Sequence, residues 1–220
     1  MKKSLLIGAT ALALTLASPF SQAHRVWIKP STTSVSGDSE WITFDVAVAN
    51  GIFHPDHFAY PAERLSVVSP SGNPVDIQNQ QKLRYRSVFD VELTESGTYK
   101  VFNASQSLVA FWKDEDGERH FWPGRGKTGT VEEFYQAVPQ DADDLNVMET
   151  ANRLETYVTL GAPTADNNKL TGKGLELKAL THPNDAYTGE PIDFQFFMSG
   201  DNAQGTKVIV VKDGEKYRDT

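Results

Sequence analysis

Histidines are the residues best suited to chemistry in this 220-residue chain, and the first of them follows a signal-peptide pattern. Met1–Lys3 is a short basic start, Leu5–Ala17 is apolar and small, and Ser21-Gln22-Ala23 offers the small residues that a signal peptidase reads. Cleavage there would make His24 the first residue of the mature protein. Its free α-amine and its imidazole Nδ1 would then form a chelating pair. One further nitrogen ligand would complete a site for a divalent first-row metal.

The densest cluster of possible ligands is His54-Pro55-Asp56-His57, in which three of the four residues carry donor side chains. It lies in the loop 50–61, after a predicted strand, and loops on a β scaffold commonly carry binding residues. If the first two strands run antiparallel, the end of the second lies beside the start of the first, so that this loop can reach His24. We therefore predict a metal site made of His24, His54 and His57, with Asp56 as a direct or outer oxygen ligand. One amine and two imidazoles favour Cu(II), with Ni(II) or Co(II) as alternatives.

The four histidines after His24 also have structural interpretations. The loop 50–61 is rich in aromatic residues and could cap a sandwich, with its histidines as polar edges. His120 lies on a predicted hairpin strand near Trp112, where a surface or stacking role is expected more than a ligand. His182-Pro183-Asn184-Asp185 is typical of a turn in which Asn and Asp side chains bond the backbone. We expect His182 to be structural unless it lies near a domain interface.

Composition excludes several classes of function. Without residues 1–23 the chain has 29 acidic and 19 basic residues, because Lys2 and Lys3 leave with the signal. Such a chain without Lys/Arg clusters is a poor partner for nucleic acid or an anionic membrane surface. It has no cysteine, which excludes thiolate metal sites, iron–sulfur clusters and a lipoprotein anchor. No Gly-x-Ser-x-Gly elbow is present, and Gly124–Gly129 does not match phosphate-loop spacing. We expect a periplasmic, non-catalytic protein with no membrane span after signal removal.

Short strands separated by turn signals dominate the mature chain, which is typical of a β-sandwich. Trp41–Val48 alternates, so that its even-numbered residues should form one apolar face. The single predicted helix is Val131–Ala137, with Thr130 as its N-cap. The other predicted strands are Val26–Ile28, Leu65–Val68, Val75–Ile77, Arg84–Leu93, Thr98–Phe102, Leu108–Trp112, Arg119–Trp122, Arg153–Leu160, Gly174–Leu180, Pro191–Phe197 and Lys207–Val211.

The segment Gly161–Lys173 contains Pro, Asn and Gly with a single large apolar residue, which is typical of a linker. We therefore divide the chain into a signal peptide (1–23), an N-terminal β-sandwich domain (24–162), a linker (163–173) and a C-terminal unit (174–220). The last of these is too short to close a sandwich, so we expect a second unit that is truncated.

The segment Ala23–Ser31 resembles the opening of a bacterial periplasmic family of unassigned domain function. Its members are often described as the periplasmic component of a cobalt or nickel uptake system (NikM-like). Lys216-Tyr217-Arg218-Asp219 resembles the point where members continue into further strands. The resemblance implies His24, His54 and His57 as first-choice ligands. It also makes His182 a stronger candidate ligand than its turn pattern alone suggests. Other segments similar to the family are Asn50–His57, Arg153–Gly161, Gly174–Leu177 and Thr181–Asp185.

These observations predict an all-β fold, in which an immunoglobulin-like or transthyretin-like β-sandwich domain is followed by a second, truncated β-sandwich unit. The expected function is binding of a divalent transition metal (Ni, Co or Cu) and its delivery to an inner- or outer-membrane metal transporter component. One alternative is a copper-dependent oxidase that uses the same N-terminal histidine chelate. Another is a metal-free β-sandwich module that binds a protein or a glycan.

Overall fold

The computed structural model describes residues 24–124, 126–165 and 169–211, which form three β-sheets and one short α-helix. The predicted signal peptide (1–23), residues 166–168 of the predicted linker and the end of the chain after Val211 lie outside these residues. Two of the sheets pack face to face around one core. The all-β, sandwich-like expectation is therefore confirmed.

The described strands range from 2 to 18 residues, and the one described α-helix directly precedes the longest of them in the chain. In chain order, the strands are β1 (Arg25–Pro30), β2 (Ser34–Val35), β3 (Glu40–Ala49), β4 (Phe58–Ala59), β5 (Ser66–Val68), β6 (Pro74–Val75), β7 (Gln78–Lys82), β8 (Ser87–Leu93), β9 (Gly97–Lys113), β10 (Arg119–Trp122), β11 (Asp143–Leu160), β12 (Leu175–Ala179), β13 (Phe194–Met198) and β14 (Asp201–Asn202). The helix α1 is Val131–Ala137, and a 3-10 turn covers Ala62–Arg64.

The sandwich consists of a first sheet in the order β1-β3-β8-β7, with β4 beside β3, and a second sheet in the order β2-β11-β9-β5-β6, with β10 beside β9. Alternation in β3 and β8 turns one face of each strand into the core. Phe44 and Phe89 are fully buried there and stack with ring centroids 5.0 Å apart. The predicted apolar face of β3 is confirmed, since its even-numbered residues from Ile42 to Val48 are all buried.

The turn Glu95-Ser96-Gly97 carries the chain from one sheet to the other. The predicted strands on either side of it lie in β8 and β9, which belong to different sheets. Tyr99 supports this corner, because its phenolic oxygen accepts hydrogen bonds from the Thr94 and Glu95 amides at 3.0 and 2.7 Å. By contrast, β5–β6 and β9–β10 are hairpins, and the second of them contains the predicted hairpin strand of His120.

The strands β9 and β11 are much longer than the sequence predicts and pair antiparallel along almost their whole length. Thr98–Phe102 and Leu108–Trp112, predicted as separate strands, belong to one strand. The segment between them, Asn103–Ser107, is polar and has no hydrophobic β signal. Its extended conformation follows from the backbone hydrogen bonds of the ladder with β11, which do not depend on side-chain polarity.

A third sheet, β12-β13-β14, follows the predicted linker. The predicted strand Lys207–Val211 is wrong, because these residues form no strand, and Val208, Ile209 and Val210 are exposed. Their β-branched side chains favour extended backbone, but no described strand pairs with them. The division of the chain into two domains stays a prediction.

The helix α1 begins and ends as predicted. Thr130 forms a capping box, in which its hydroxyl accepts from the Glu133 amide and the Glu133 carboxylate accepts from the Thr130 amide. Phe134 is buried against Ala110 and Trp122, so the helix covers part of β9. Within the described residues, no helix is long and apolar enough to cross a membrane.

The substitution Thr130→Ala is expected to lower the free energy of unfolding by about 1 kcal/mol, because the Glu133 amide loses its capping partner. Urea denaturation measures the change. Glu132→Ala, in the same turn but outside the capping box, is the control and should have the smaller effect. Equal effects of the two substitutions would contradict the prediction.

Candidate metal centre

The register of β1 and β3 brings the two predicted histidine segments together. The strands pair antiparallel, with Arg25 opposite Ala49 and Trp27 opposite Ala47. The start of β1 therefore lies beside the end of β3, where the loop 50–61 begins. The condition on which the predicted site depended, an antiparallel pair, is therefore met, and it explains why the loop can reach His24.

His24 and His57 are in direct contact. Their imidazole rings stack with centroids 3.6 Å apart and planes inclined by 12°, and both side chains are exposed. Phe58 lies beside the pair, with its ring centroid 4.8 Å from that of His57. In a parallel stack the nitrogen lone pairs of the two rings do not converge on one point. Binding of one ion by both rings therefore requires rotation about the side-chain bonds, which exposed residues undergo readily.

A small apolar cluster on the outer face of the first sheet holds the loop in place. Trp27 is buried with Ala47 and Ala49, and the Phe53 ring packs against it edge-on with centroids 5.7 Å apart. The Lys29 ammonium lies 5.2 Å from the centre of the Phe53 ring. Phe53 therefore covers part of the sheet as an aromatic cap. His57, in the same loop, contacts His24.

Asp56 closes the loop through Asn50. Its Oδ1 accepts from the Asn50 backbone amide at 3.0 Å, and its Oδ2 accepts from the Asn50 side-chain amide at 3.3 Å. The pKa of Asp56 is held below its usual range, mainly by the hydrogen bond from the Asn50 backbone amide. Asp56 therefore has a structural role directly before His57, and its role as a metal ligand stays a prediction.

His54 lies apart from the histidine pair. Its backbone bridges to Gly51, and its side chain is exposed. Within the described ranges no ring contact joins His54 to His24 or His57, and no group of three or more His, Asp or Glu side chains is arranged to hold a metal ion. A third nitrogen ligand would come from the α-amine that cleavage before His24 creates.

The remaining two histidines have structural partners. His120 stacks on Trp112 with centroids 5.3 Å apart, and its Nε2 lies 2.8 Å from Asp114 Oδ2. The Nδ1 of His182 accepts from the Asn184 amide at 3.1 Å, so its Nε2 carries the proton and donates to the Thr164 carbonyl at 3.1 Å. The same Nε2 lies 2.9 Å from Thr98 Oγ1 in β9. Both ring nitrogens of His182 are therefore engaged, in agreement with its predicted turn.

Sequence reasoning missed a buried charge cluster between β11 and β12. The Arg153 guanidinium donates to the Leu175 carbonyl at 2.6 Å and to Glu155 at 3.0 Å, and it lies 3.5 Å from Glu176. Glu176 also accepts from the amides of Thr171 and Gly172. Arg153 and Glu155 lie on one face of a predicted strand, and this spacing indicates an ion pair. The sequence does not indicate that Glu176 of β12 is their partner.

These observations define an all-β sandwich protein with two histidines in contact at the start of its first strand. A family model described as "Domain of unknown function (DUF4198)" matches residues 21–220, and the chain belongs to this family. No curated protein matches the chain, and no solved structure matches it. The family description names no activity.

Proposed function

We propose that the mature protein binds one divalent transition-metal ion through His24 and His57 and delivers it to a transporter component of the cell envelope. The observation that carries this proposal is the contact of the two imidazoles, 3.6 Å between centroids, at the residue that would become the N-terminus. The sequence pattern and the β1–β3 register support it independently, because one suggests cleavage before His24 and the other places the loop beside that residue.

The donor set would consist of the α-amine and imidazole of His24 and the imidazole of His57. Three nitrogen ligands suit Cu(II) best, and Ni(II) and Co(II) follow with lower affinity. The α-amine has a pKa of about 8 and must lose its proton to bind, so binding near neutral pH would release a proton. Asp56 would act through the loop, since its bonds to Asn50 fix the backbone directly before His57.

Exposure of the site favours a carrier. Both imidazoles lie at the surface, where a partner's ligands can reach the ion and take it over. The net charge of −8 for the whole chain also attracts cations to the protein. We therefore propose non-catalytic delivery in the periplasm, with an inner- or outer-membrane transporter component as the partner.

Calorimetric titration tests this proposal. Cu(II), Ni(II) and Co(II) are titrated into the protein that begins at His24 and into a chain with one extra residue before His24. We expect one ion per chain, and the extra residue should weaken binding about 100-fold, equal to about 2.7 kcal/mol, because it converts the amine to an amide. His57→Ala should also weaken binding, whereas His120→Ala, the control, should not.

Two results would contradict the proposal. Binding that is absent, or that is indifferent to the extra residue and to His57→Ala, would exclude the terminal chelate. Sustained oxidation of ascorbate that depends on both Cu(II) and His57 would contradict a non-catalytic carrier and favour the oxidase alternative.

A further inference from the structure

Two adjoining cavities form one open groove along the β9–β11 strand pair. Their volumes are about 530 and about 800 Å³, and they share Tyr60, Asn103, Ser105 and Asn152. We call the combined space the ribbon groove. It runs from His24 at one end to Lys127 and Thr128 at the other, and each of the two cavities has a volume typical of a ligand site.

The floor of the ribbon groove is polar because one face of the β9–β11 pair changes from core residues to mainly polar residues along the strands. Alternation places Asn103, Ser105 and Ser107 on the same face of β9 as Tyr99 and Val101, which are buried in the sandwich core. Opposite these floor residues stand Leu154, Asn152 and Thr150 of β11. The face that builds the core thus continues into the groove with hydroxyl and amide side chains.

Two floor residues are available to a ligand. Ser105 and Asn152 are register partners across the strand pair, and both line both cavities. In the described part of the chain, neither the Ser105 hydroxyl nor the Asn152 amide forms a side-chain hydrogen bond within the protein. An amide offers two donors and an acceptor, and a hydroxyl offers both functions. Ligand hydroxyl groups can use all of them.

The walls combine cations with aromatic rings. Arg64 donates to the Gly126 carbonyl at 3.2 Å and, through its own carbonyl, accepts from the Asn103 amide at 2.7 Å, which ties the wall to the floor. Tyr60 lines the same side, and Phe121, which is 44% exposed, lines the far part. Lys127 is exposed beside Thr128.

The charge of the groove is opposite to that of the protein. The chain has 29 acidic and 21 basic residues, yet no Asp or Glu occurs among the described residues that line the two cavities. The basic residues that line them are Arg25, Arg64, Lys127 and Arg153, and the charge of Arg153 is balanced by Glu155 and Glu176. An anionic ligand is therefore attracted to the groove and repelled by the remainder of the surface.

We propose that the ribbon groove binds a linear acidic oligosaccharide. The segment of β9 under the groove, Asn103 to Val109, spans about 20 Å at 3.3 Å per residue, so the ligand is extended rather than a single small anion. Amides and hydroxyls match its hydroxyl groups, and cations form charge-assisted bonds to its carboxylates. The exposed Phe121 and the half-buried Tyr60 offer apolar faces to its rings. An acidic peptide fits less well, because the floor is the face of two paired strands and not a free sheet edge to which a peptide strand adds.

Titration with tetragalacturonate, in the presence of EDTA, tests the proposal on the protein that begins at His24. The neutral control ligand is galactotetraose, and tetraglutamate, galacturonate monomer and inorganic phosphate are the competing probes. We expect tetragalacturonate to bind at least about tenfold more tightly than each of these, with affinity that falls as salt is raised. His57→Ala, which removes a proposed metal ligand that does not line the groove, should bind it equally well, and this separates the result from the metal proposal.

Groove variants complete the test. Asn152→Asp and Lys127→Ala should each weaken tetragalacturonate binding about tenfold, equal to about 1.4 kcal/mol, without a change in melting temperature. Lys178→Ala, an exposed lysine on β12 outside the groove, is the matched control and should change nothing. Equal binding of galactotetraose, tighter binding of tetraglutamate, equal binding of phosphate or monomer, or no binding of tetragalacturonate would each overturn the proposal.

Discussion

Replacement of Arg153 by alanine is expected to lower the free energy of unfolding by about 3–5 kcal/mol, because the buried carboxylates of Glu155 and Glu176 would lose their cation. The side chains of Arg153, Glu155 and Glu176 are only 11%, 12% and 3% exposed. The guanidinium also donates to the Leu175 carbonyl in β12, so it joins the third sheet to β11. Urea denaturation gives the stability, and trypsin cleavage at the exposed Lys169 and Lys173 reports release of that sheet.

The acid limb of the stability profile provides a second readout for this variant. Burial acts to raise the pKa of Glu176, but bonds from Thr171 and Gly172 and the charge of Arg153 outweigh it and hold the pKa below its usual value of 4.5. A carboxyl with a lowered folded pKa contributes stability that is complete above its unfolded pKa and is lost as the pH falls through the folded pKa. In Arg153→Ala the folded pKa of Glu176 should move up toward its unfolded value, so this loss should be smaller and should end at a higher pH.

Matched variants separate the charge cluster from a general loss of an arginine. Arg119→Ala, at an exposed position on β10, should change the free energy of unfolding by no more than about 0.5 kcal/mol. Combining Arg153→Met with Glu155→Gln and Glu176→Gln should recover part of the stability, because no charge is then left unpaired. A triple variant that is less stable than Arg153→Ala would show that the unpaired carboxylates are not the cause.

The substitution Phe44→Ala should destabilise the sandwich by about 3–5 kcal/mol. Phe44 is fully buried between the sheets and stacks on Phe89 with an interplanar angle of 5°, so its removal leaves a cavity and breaks an aromatic pair. Differential scanning calorimetry and urea denaturation measure the loss.

Trp41→Ala is the control for this prediction, because it removes a larger aromatic ring from the opposite face of the same strand. Trp41 is 48% exposed, and its replacement should change the free energy of unfolding by about 0.5 kcal/mol or less. If the two substitutions were equally destabilising, the assignment of the β3 faces to core and solvent would be wrong.

Several features could be predicted because their signals are local. The alternation of Trp41–Val48 defined the buried face of β3, and Thr130 with Glu133 marked the start of α1. The predicted hairpin strand with His120 and the turn at His182 were also correct. In each case neighbouring residues contain the relevant information, since strand periodicity and helix caps involve residues only a few positions apart.

Other features depended on partners that are distant in the sequence. Asn103–Ser107 is extended because β11 supplies its hydrogen bonds, whereas Lys207–Val211 has apolar residues but no described strand to pair with. Arg153 and Glu176 meet only because the third sheet lies beside β11. A polar segment can therefore be a strand and an apolar one need not be, because the hydrogen bonds of a sheet are formed between segments.

The candidate metal site shows the same division. The sequence by itself determined the donor types, the signal-peptide pattern before His24 and the loop position of His54, Asp56 and His57. The tertiary structure decided that His57 contacts His24 and that Asp56 closes the loop on Asn50, whereas no ring contact joins His54 to either histidine in the described part of the chain. The reason is that residue types define which bonds are possible, whereas the β1–β3 register and the packing of Phe53 on Trp27 define which atoms come within reach of one another.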